Sequence, residues 1–524
     1  MDIDYSVLAW PWSGVLAGGF LILVGGLAML QRRDTKGSDT QDYQTTHQGQ
    51  SRKPSSAEAA PPVSSGGRSG DSPRLGSLIK MLSSVRMAQV LLAIGAVLLA
   101  IEGTWAVPVH RSPVFVVYVL VLLTALGVAI LKKVQSLKFK VPAGGNDPTV
   151  AKAHIGDSPY VSPASLCDTF RGTVPTALPF ATGRWRMKDV GFLLNHIGIF
   201  VILWAALFGS PDVQKAKMMV QRGVPENTAY TKDGKEVTLP FAVTLNEFKT
   251  DYYEDGVSPK QYTSTLTIGK ERMQTKVNDP CSYGGYVIYQ EDYDHEYGQY
   301  SVLGLVRDPW LPIVYIGIGM LAIGSVLLLF GKWKAKIIVP AATVLTILFT
   351  AITVAKINFG TLMPVLRSWW FVPHIMIYMV AYSLMAIGLV LAVVHAYRSS
   401  RTLGTVPTCH TLRFATLSGG QSPLSDLSEL MVRSAAALLI LGTMSGAIWA
   451  KEAWGDYWAW DPKENWAAVT WFIALIYLHL SQEKRGWKGL VVILVAFLAL
   501  QITWYGVNYL PSAMESMHAY RVQQ

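Results

Sequence analysis

Cysteine and charged side chains are both scarce in this sequence of 524 residues. Its three cysteines, Cys167, Cys281 and Cys409, are too widely separated to form a CxxC redox motif, a zinc site or a disulfide framework. Any chemistry on thiols therefore has to use the thiols of another molecule. Charged residues make up 15% of the chain and hydrophobic residues 51%, which is too apolar for an average soluble protein. The net charge of +10 does not gather into a recognisable nucleic-acid motif, so we expect no nucleic-acid partner.

The low charge comes from long apolar segments. About 20 apolar residues cross a bilayer as a helix, and on that basis the sequence predicts ten membrane helices, at 11–30, 88–107, 113–131, 190–209, 309–330, 336–354, 372–397, 431–449, 466–480 and 489–508. The predicted fold class is an all-α polytopic membrane protein with about ten transmembrane helices. We expect it to lie in the cell's inner (cytoplasmic) membrane.

The polar connections predict the orientation of the chain. Residues 1–33 form an N-terminal anchor whose helix has two aspartates before it and two arginines after it, so its amino end is expected outside. No small-residue cleavage site follows, as it would in a removable signal peptide. Residues 34–79, rich in Ser, Gly, Pro, Gln and Thr up to residue 76, are predicted to be a disordered cytoplasmic linker. With ten crossings, the inner connections carry more than half of the 45 Lys and Arg, and the carboxyl terminus is outside.

One outer connection, residues 210–308, is long enough to form a domain. Apolar and polar residues alternate over 237–245, 262–268 and 286–290, and a turn sequence occupies 232–235. Alternation of this kind is typical of strands. The sequence therefore predicts one small extracytoplasmic β-rich domain.

Residues 454–471 contain five tryptophans among two aspartates, a lysine and a glutamate. A membrane helix does not carry those charges through hydrocarbon without a functional reason, and a soluble loop does not expose so many indoles. A helix is expected from Pro462 onward, with Glu464 in its first turn. An aromatic interface belt explains a lone tryptophan. Five tryptophans in 18 residues instead favour a shelf for a flat, apolar ligand.

The order of residues in this segment resembles the tryptophan-rich WWD signature of the heme-handling family that includes the CcsA/ResC cytochrome c assembly proteins. The matching residues are Trp454, Gly455, Trp458, Trp460, Asp461, Lys463, Glu464 and Trp466. The resemblance implies that these residues form the heme-attachment site. Four of them, Trp454, Trp458, Trp460 and Trp466, are implied to contact the heme.

The predicted β-rich domain is similar to the CcsB/ResB partner protein of that family. The residues that carry the resemblance are Phe248, Asp251, Tyr252, Tyr253, Gly256, Pro259, Lys260, Tyr262, Ser264, Val277, Asn278, Gly285, Tyr289 and Gln290. Cys281 falls where an apolar residue is expected, so it receives no family role. Together the two resemblances imply a CcsB-like half at 80–330 and a CcsA-like half at 336–524.

Four of the ten histidines lie near or within predicted helices. His374 opens the seventh helix and His518 follows the tenth, both on the tryptophan side of the membrane; either alone is more often a surface histidine. His196 and His479 are intramembrane ionisable residues at a similar depth, which is a functional hypothesis by default; the alternative is two histidines satisfied within their own helices. The family resemblance implies an outer pair and an inner pair of heme-iron ligands.

The remaining histidines are interpreted as less informative. A position at the membrane boundary explains His395, whose side chain can reach the interface. The others are expected to be solvated side chains in loops, inside for His47, His154 and His410 and outside for His110 and His295.

The combined resemblance implies a fused system II cytochrome c synthase. Such a protein moves heme b across the membrane and attaches it through thioether bonds to the CxxCH motif of an apocytochrome c outside, a holocytochrome c synthase (heme lyase) activity. A thioredoxin-like protein would keep the thiols reduced, and Lys451, Lys463 and Arg367 are candidates for binding the heme propionates. The alternatives are a heme exporter serving a separate chaperone, a heme-b or quinol electron-transfer subunit, and a generic transporter.

Overall fold

The computed structural model describes residues 13–25, 73–138, 187–330, 344, 363–403, 423–480 and 486–517. Ten helices lie in these ranges: α1 Ser13–Gly25, α2 Pro73–Leu82, α3 Val85–Trp105, α4 Pro113–Lys138, α5 Met187–Gly209, α6 Leu311–Phe330, α7 Phe371–Leu403, α8 Pro423–Trp454, α9 Pro462–His479 and α10 Trp487–Trp504. Seven of the helices in the described residues, α3 to α8 and α10, are long and apolar enough to cross a membrane.

The predicted count of ten crossings is not confirmed. The first predicted span corresponds to the shorter apolar helix α1. The span at 466–480 lies within α9, whose first turn is polar and lowers its mean hydropathy. The span at 336–354 lies, apart from residue 344, outside the described residues. The predicted fold class, a helical membrane protein with one β domain, is confirmed, but the predicted number of ten transmembrane helices is not.

Two predicted boundaries were wrong. The linker was expected to extend to residue 79, but α2 begins at Pro73. Leu75, Leu78, Ile79 and Leu82 recur at helical spacing, and Ile79 is buried. The helix predicted at 431–449 extends over Pro423–Trp454, because polar residues at both of its ends are still helical.

The C-terminal helices pack around one apolar core. Leu384 and Met385 of α7, Leu439 of α8 and Leu500 of α10 are almost completely buried in it. A second cluster joins α3 to α9, where Leu92 and Ala96 meet Val469 and Phe472. Burial of these side chains ties the N-terminal helices to the C-terminal ones.

Residues 214–307 form a single antiparallel sheet. Its strands are β1 Gln214–Gln221, β2 Pro225–Tyr230, β3 Glu236–Tyr252, β4 Pro259–Ile268, β5 Glu271–Lys276, β6 Cys281–Tyr283, β7 Tyr286–Tyr293 and β8 Tyr300–Arg307, in the order β5-β4-β3-β2-β1-β8-β7-β6. The three predicted strands correspond to parts of β3, β4 and β7, which confirms the β-rich domain. The Ser264 hydroxyl of β4 donates to Gln290 Oε1 of β7 at 2.6 Å, so the sheet curls until these strands face each other.

The β domain rests on the helical part next to residues 454–471. Asn278 Nδ2 donates to the carbonyls of Pro364 and Val365 at 2.9 and 3.0 Å. Lys215 forms an ion pair with Asp456. These contacts place the domain over the tryptophan-rich segment.

Candidate functional site

Helix α9 begins at Pro462, as the residues predict, and the two acidic residues of the signature build its first turn. The Asp461 carboxylate accepts from the Lys463 amide at 2.8 Å, and Glu464 Oε2 accepts from the Asp461 amide at 3.2 Å. This reciprocal arrangement is a capping box. Glu464 also accepts from the Ala459 amide at 2.8 Å. The two carboxylates therefore fix the backbone that precedes the helix.

Asp461 also holds the end of the described chain. Its carboxylate accepts from the Met517 amide at 2.7 Å and from the Ser516 hydroxyl at 3.2 Å. Because Met517 directly precedes His518, the start of α9 anchors the backbone next to the predicted outer ligand. His518 itself lies outside the described residues.

Replacing Asp461 by alanine is expected to lower the stability of the protein. Loss of an N-cap costs about 0.5–2 kcal/mol, and the Met517 amide loses its acceptor. The midpoint of thermal aggregation of the purified protein measures the change. Asp456→Ala is the matched control, because an ion pair as exposed as that of Asp456 with Lys215 contributes about 0–1 kcal/mol. Equal midpoints for the two variants would contradict this structural role of Asp461.

The turn between α8 and α9 uses two left-handed backbone positions. Gly455 has φ +82°, and a Cβ there would lie 2.9 Å from Val306 of the β domain. Trp460 has φ +61°, a conformation that costs a non-glycine residue free energy and that clusters at functional sites. The turn is thus shaped both by the domain above it and by local strain.

The five tryptophans occupy different surroundings. Trp458 lines two cavities, one of about 670 Å³ and one of about 130 Å³, and Trp460 lines the larger. Trp466 and Trp471 pack in the cluster between α3 and α9, with their indole N–H groups buried. Trp454 lies beside Trp449, with ring centres 5.4 Å apart. Trp458 and Trp460 are therefore the indoles of this segment that line the two cavities.

The smaller cavity brings His374 together with part of the signature. Its lining includes His374, Tyr457, Trp458, Lys463 and Glu464. His374 Nδ1 donates to the Gly442 carbonyl at 2.8 Å. Since a carbonyl only accepts, this bond assigns the ring proton to Nδ1 and leaves the lone pair on Nε2.

Gly446 of α8 lets His374 lie against that helix. Gly442 supplies the accepting carbonyl, and a Cβ at Gly446 would lie 2.7 Å from His374 Nδ1. Neither glycine was predicted to be a site residue. The only available signal was a Gly-x-x-x-Gly spacing in an apolar helix, which points to close helix packing.

The three predicted propionate partners differ in their surroundings. Lys463 lines the smaller cavity, and burial lowers its pKa. An anionic group beside it would offset that desolvation. Lys451 Nζ donates to the Gly455 carbonyl at 2.8 Å, so it supports the turn. Arg367 lies over the ring of Tyr253, 5.6 Å from its centre, on the β-domain side.

The inner histidines come from α5 and α9 and meet. The ring centres of His196 and His479 are 6.4 Å apart, with an interplanar angle of 67°. His196 Nδ1 donates to the Phe192 carbonyl and His479 Nδ1 to the Leu475 carbonyl, each at 2.8 Å. Both rings therefore carry the proton on Nδ1 and the lone pair on Nε2, which is the tautomer of a ligand whose second nitrogen is held by a backbone carbonyl.

His110 was expected to be solvated, and that expectation was wrong. Its side chain is 20% exposed, its Nδ1 contacts the carboxylate of Glu102, and its ring stacks on Trp460 with centres 4.5 Å apart. Glu102 also accepts from the His110 amide at 3.0 Å. A signal was present, because Glu102 is an acidic residue within the apolar helix α3. By contrast His295, 72% exposed, is solvated as predicted.

Cys281 is buried in the core of the β domain as a free thiol. Burial raises the pKa of this thiol to about 11, so it stays protonated and unreactive at neutral pH. Cys167 and Cys409 lie outside the described residues. No group of three or more His, Cys, Asp or Glu side chains within the described ranges is placed to hold a metal ion.

Two family models match the chain in separate regions. The ResB-like family matches residues 177–298, which include α5 and most of the β domain. The family described as Cytochrome C assembly protein matches residues 313–515, which include the tryptophan-rich segment. His196 thus falls in the first match and His479 in the second.

Several relatives of this chain carry the name cytochrome c biogenesis protein CcsA. The cytochrome c biogenesis protein CcsA of Parasynechococcus marenigrum is 32% identical over 216 residues, covering 36% of this chain and 70% of the relative. That of Cyanophora paradoxa is 32% identical over 192 residues, covering 30% and 59%. That of Gloeobacter violaceus is 39% identical over 129 residues, covering 22% and 38%. The chain therefore spans less than two thirds of the length of two of these three relatives.

The apolar helices and both family matches define a multi-pass membrane protein of cytochrome c assembly. The chain belongs to the cytochrome c biogenesis protein CcsA family and, with a ResB-like region in the same chain, is a fused CcsB–CcsA protein.

Proposed function

We propose that this protein carries heme b across the membrane and attaches it to the CxxCH motif of an apocytochrome c, as a holocytochrome c synthase. The observation that supports this most is the pairing of His196 and His479. Two metal–imidazole bonds of about 2 Å each place the ring centres on either side of a metal about 6 Å apart, and these rings are 6.4 Å apart. The inner pair is the proposed entry site, where heme arrives from the cytoplasmic leaflet.

The outer site is proposed at the smaller cavity. His374 offers Nε2 to the iron, and His518, beyond the described residues, is the proposed second ligand. Trp458 offers an aromatic face and Lys463 a buried cation for a propionate. A cavity of about 130 Å³ is smaller than the usual 300–1,000 Å³ of ligand sites, so we propose that side chains around it move apart when heme binds.

The chain's own contribution to the reaction is positioning. The capping box of Asp461 and Glu464 holds the turn that carries Trp458 and Trp460, and fixed orientation of the reacting groups lowers the barrier to bond formation. The electron-rich macrocycle and its vinyl groups supply the addition chemistry. The partner thiols come from the apocytochrome, kept reduced by a proposed thioredoxin-like protein, because Cys281 is inert.

Covalent attachment tests the proposed function. Expression with an apocytochrome in a host without cytochrome c assembly proteins is expected to give holocytochrome with heme that remains bound after denaturation. Heme found only in non-covalent form would favour the heme exporter or the electron-transfer subunit. A purified protein without heme would favour a generic transporter.

The proposed orientation has the outer site, the β domain and the carboxyl terminus on the extracytoplasmic side of the inner membrane. Single cysteines introduced at Lys232 and at Ser399 are then expected to react with a membrane-impermeant maleimide from opposite sides. Lys232 lies in an exposed turn of the β domain and Ser399 near the end of α7. Labelling of both from the same side would contradict this orientation.

A further inference from the structure

On the basis of the proposed function, we propose that the larger cavity receives the thiol-bearing segment of the apocytochrome and that His110 is the general base for thioether formation. Glu102 is a positioning residue in this arrangement. The cavity has a volume of about 670 Å³, within the range of ligand sites.

The position of this cavity suits a second substrate. Trp458 lines both this cavity and the smaller one beside His374. A heme held in the smaller cavity and a peptide held in the larger one would therefore share Trp458 as a neighbour. His110 and Trp460 line the larger cavity, so a thiol bound there would lie beside both of them.

The imidazole of His110 is held in one tautomer. One oxygen of the Glu102 carboxylate contacts His110 Nδ1, and the other accepts from the His110 amide at 3.0 Å. The carboxylate accepts, so the ring proton lies on Nδ1 and the lone pair on Nε2. An imidazole fixed by a carboxylate in this way is the arrangement of an oriented general base.

The ring of His110 lies next to a carboxylate and an aromatic face, two groups that attract a cation. Glu102 is 5% exposed, and the ring lies parallel to the Trp460 indole at an interplanar angle of 5°. A cation over an indole face is attracted by the negative potential of that face. The strained backbone of Trp460 therefore occurs at the residue whose indole stacks on His110.

Charged groups around the cavity complete the environment of His110. Asp456 of the signature is paired with Lys215 of β1, and Arg111 and Lys232 stand at the exposed rim. The Glu102 carboxylate is already in contact with His110, so Arg111 and Lys232 remain to attract negative charge. They favour a peptide with acidic flanking residues, or the anionic propionates of the heme.

The reaction balances without an oxidant or a reductant. The S–H bond of a CxxCH thiol breaks, and its proton passes to His110 Nε2. The thiolate sulfur bonds to the vinyl α-carbon of heme, and the proton returns to the vinyl β-carbon. A thiol with a pKa of about 8.5 is only a few per cent ionised at pH 7, so a base within reach accelerates the step.

Purified heme-loaded protein and a reduced synthetic CxxCH peptide provide the test, with the covalent heme–peptide product measured by mass spectrometry. At pH 7, His110→Ala is expected to react about 100-fold more slowly than wild type, the lower range for loss of a general base. Between pH 7 and pH 9 the rate of the variant is expected to rise about 20-fold as the peptide thiol ionises on its own. The wild-type rate changes far less, because the base is already present.

Controls separate a base from a structural residue. His110→Ala is expected to keep its heme content. The reaction rate of Glu102→Gln is expected to lie between those of His110→Ala and wild type, with the same recovery at pH 9. His295→Ala, exposed in the β domain, is expected to react at the wild-type rate. A wild-type rate for His110→Ala at pH 7, or a slow rate that does not recover at pH 9, would contradict the role of His110 as the general base. If the heme-loaded wild type gives no covalent product, the proposed function is contradicted, and the proposed role of His110 is contradicted with it.

Discussion

Replacing His196 or His479 by alanine is expected to remove most of the heme that copurifies with the protein. The two rings meet with centres 6.4 Å apart, and each variant removes one of the two nitrogen ligands that the proposed inner site offers. Loss even of a group that only orients a metal ligand costs about 10–100-fold in affinity, so we expect at least a tenfold fall. Heme per protein, measured by absorbance after extraction, gives the result.

Two further histidine variants sharpen that experiment. His395→Ala, in the membrane helix α7 rather than in α5 or α9, is the matched control and is expected to keep its heme. His374→Ala is expected to retain heme with an altered spectrum, because the inner site remains intact. Full heme content in both inner variants would contradict the inner site. Loss of heme in His374→Ala alone would reverse the proposed order of entry and exit.

The double variant Trp458→Ala, Trp460→Ala is expected to abolish cytochrome c maturation while the protein still inserts and accumulates. These two indoles line the cavities, whereas the indole N–H groups of Trp466 and Trp471 are buried. If each aromatic contact contributes about 1.5 kcal/mol, losing both corresponds to about a 100-fold fall in binding. Holocytochrome yield per membrane-inserted protein is the measurement.

Trp487→Ala is the control for this pair, because Trp487 is 71% exposed at the start of α10. It is expected to mature cytochrome c normally. Normal maturation by the double variant would show that the tryptophan-rich segment is only an interface belt.

Features encoded by neighbouring residues could be predicted from the sequence. The start of α9 follows from Pro462 and the acidic side chains around it, since capping is decided within one turn. The strands within β3, β4 and β7 follow from local alternation. The similar depth of His196 and His479 follows from their distances along the helices to the flanking lysines, although their contact depended on how α5 and α9 pack.

Features that depend on distant parts of the chain could not be predicted. His110 stands in a short loop after α3, and only folding brings it onto Trp460, 350 residues later. Strand β1 carries two lysines among its eight residues and shows its apolar face only when the sheet curls around Met218 and Val220. The number of crossings also depends on helix packing, because a buried helix such as α9 tolerates a polar first turn.

The inner histidine pair takes one member from each family match, His196 from the ResB-like region and His479 from the cytochrome c assembly region. Neither region alone contains both ligands. A single polypeptide fixes the stoichiometry of the two regions at one to one and gives them an effective concentration on the order of millimolar. Assembly of the proposed entry site therefore does not depend on how many copies of the chain the membrane holds.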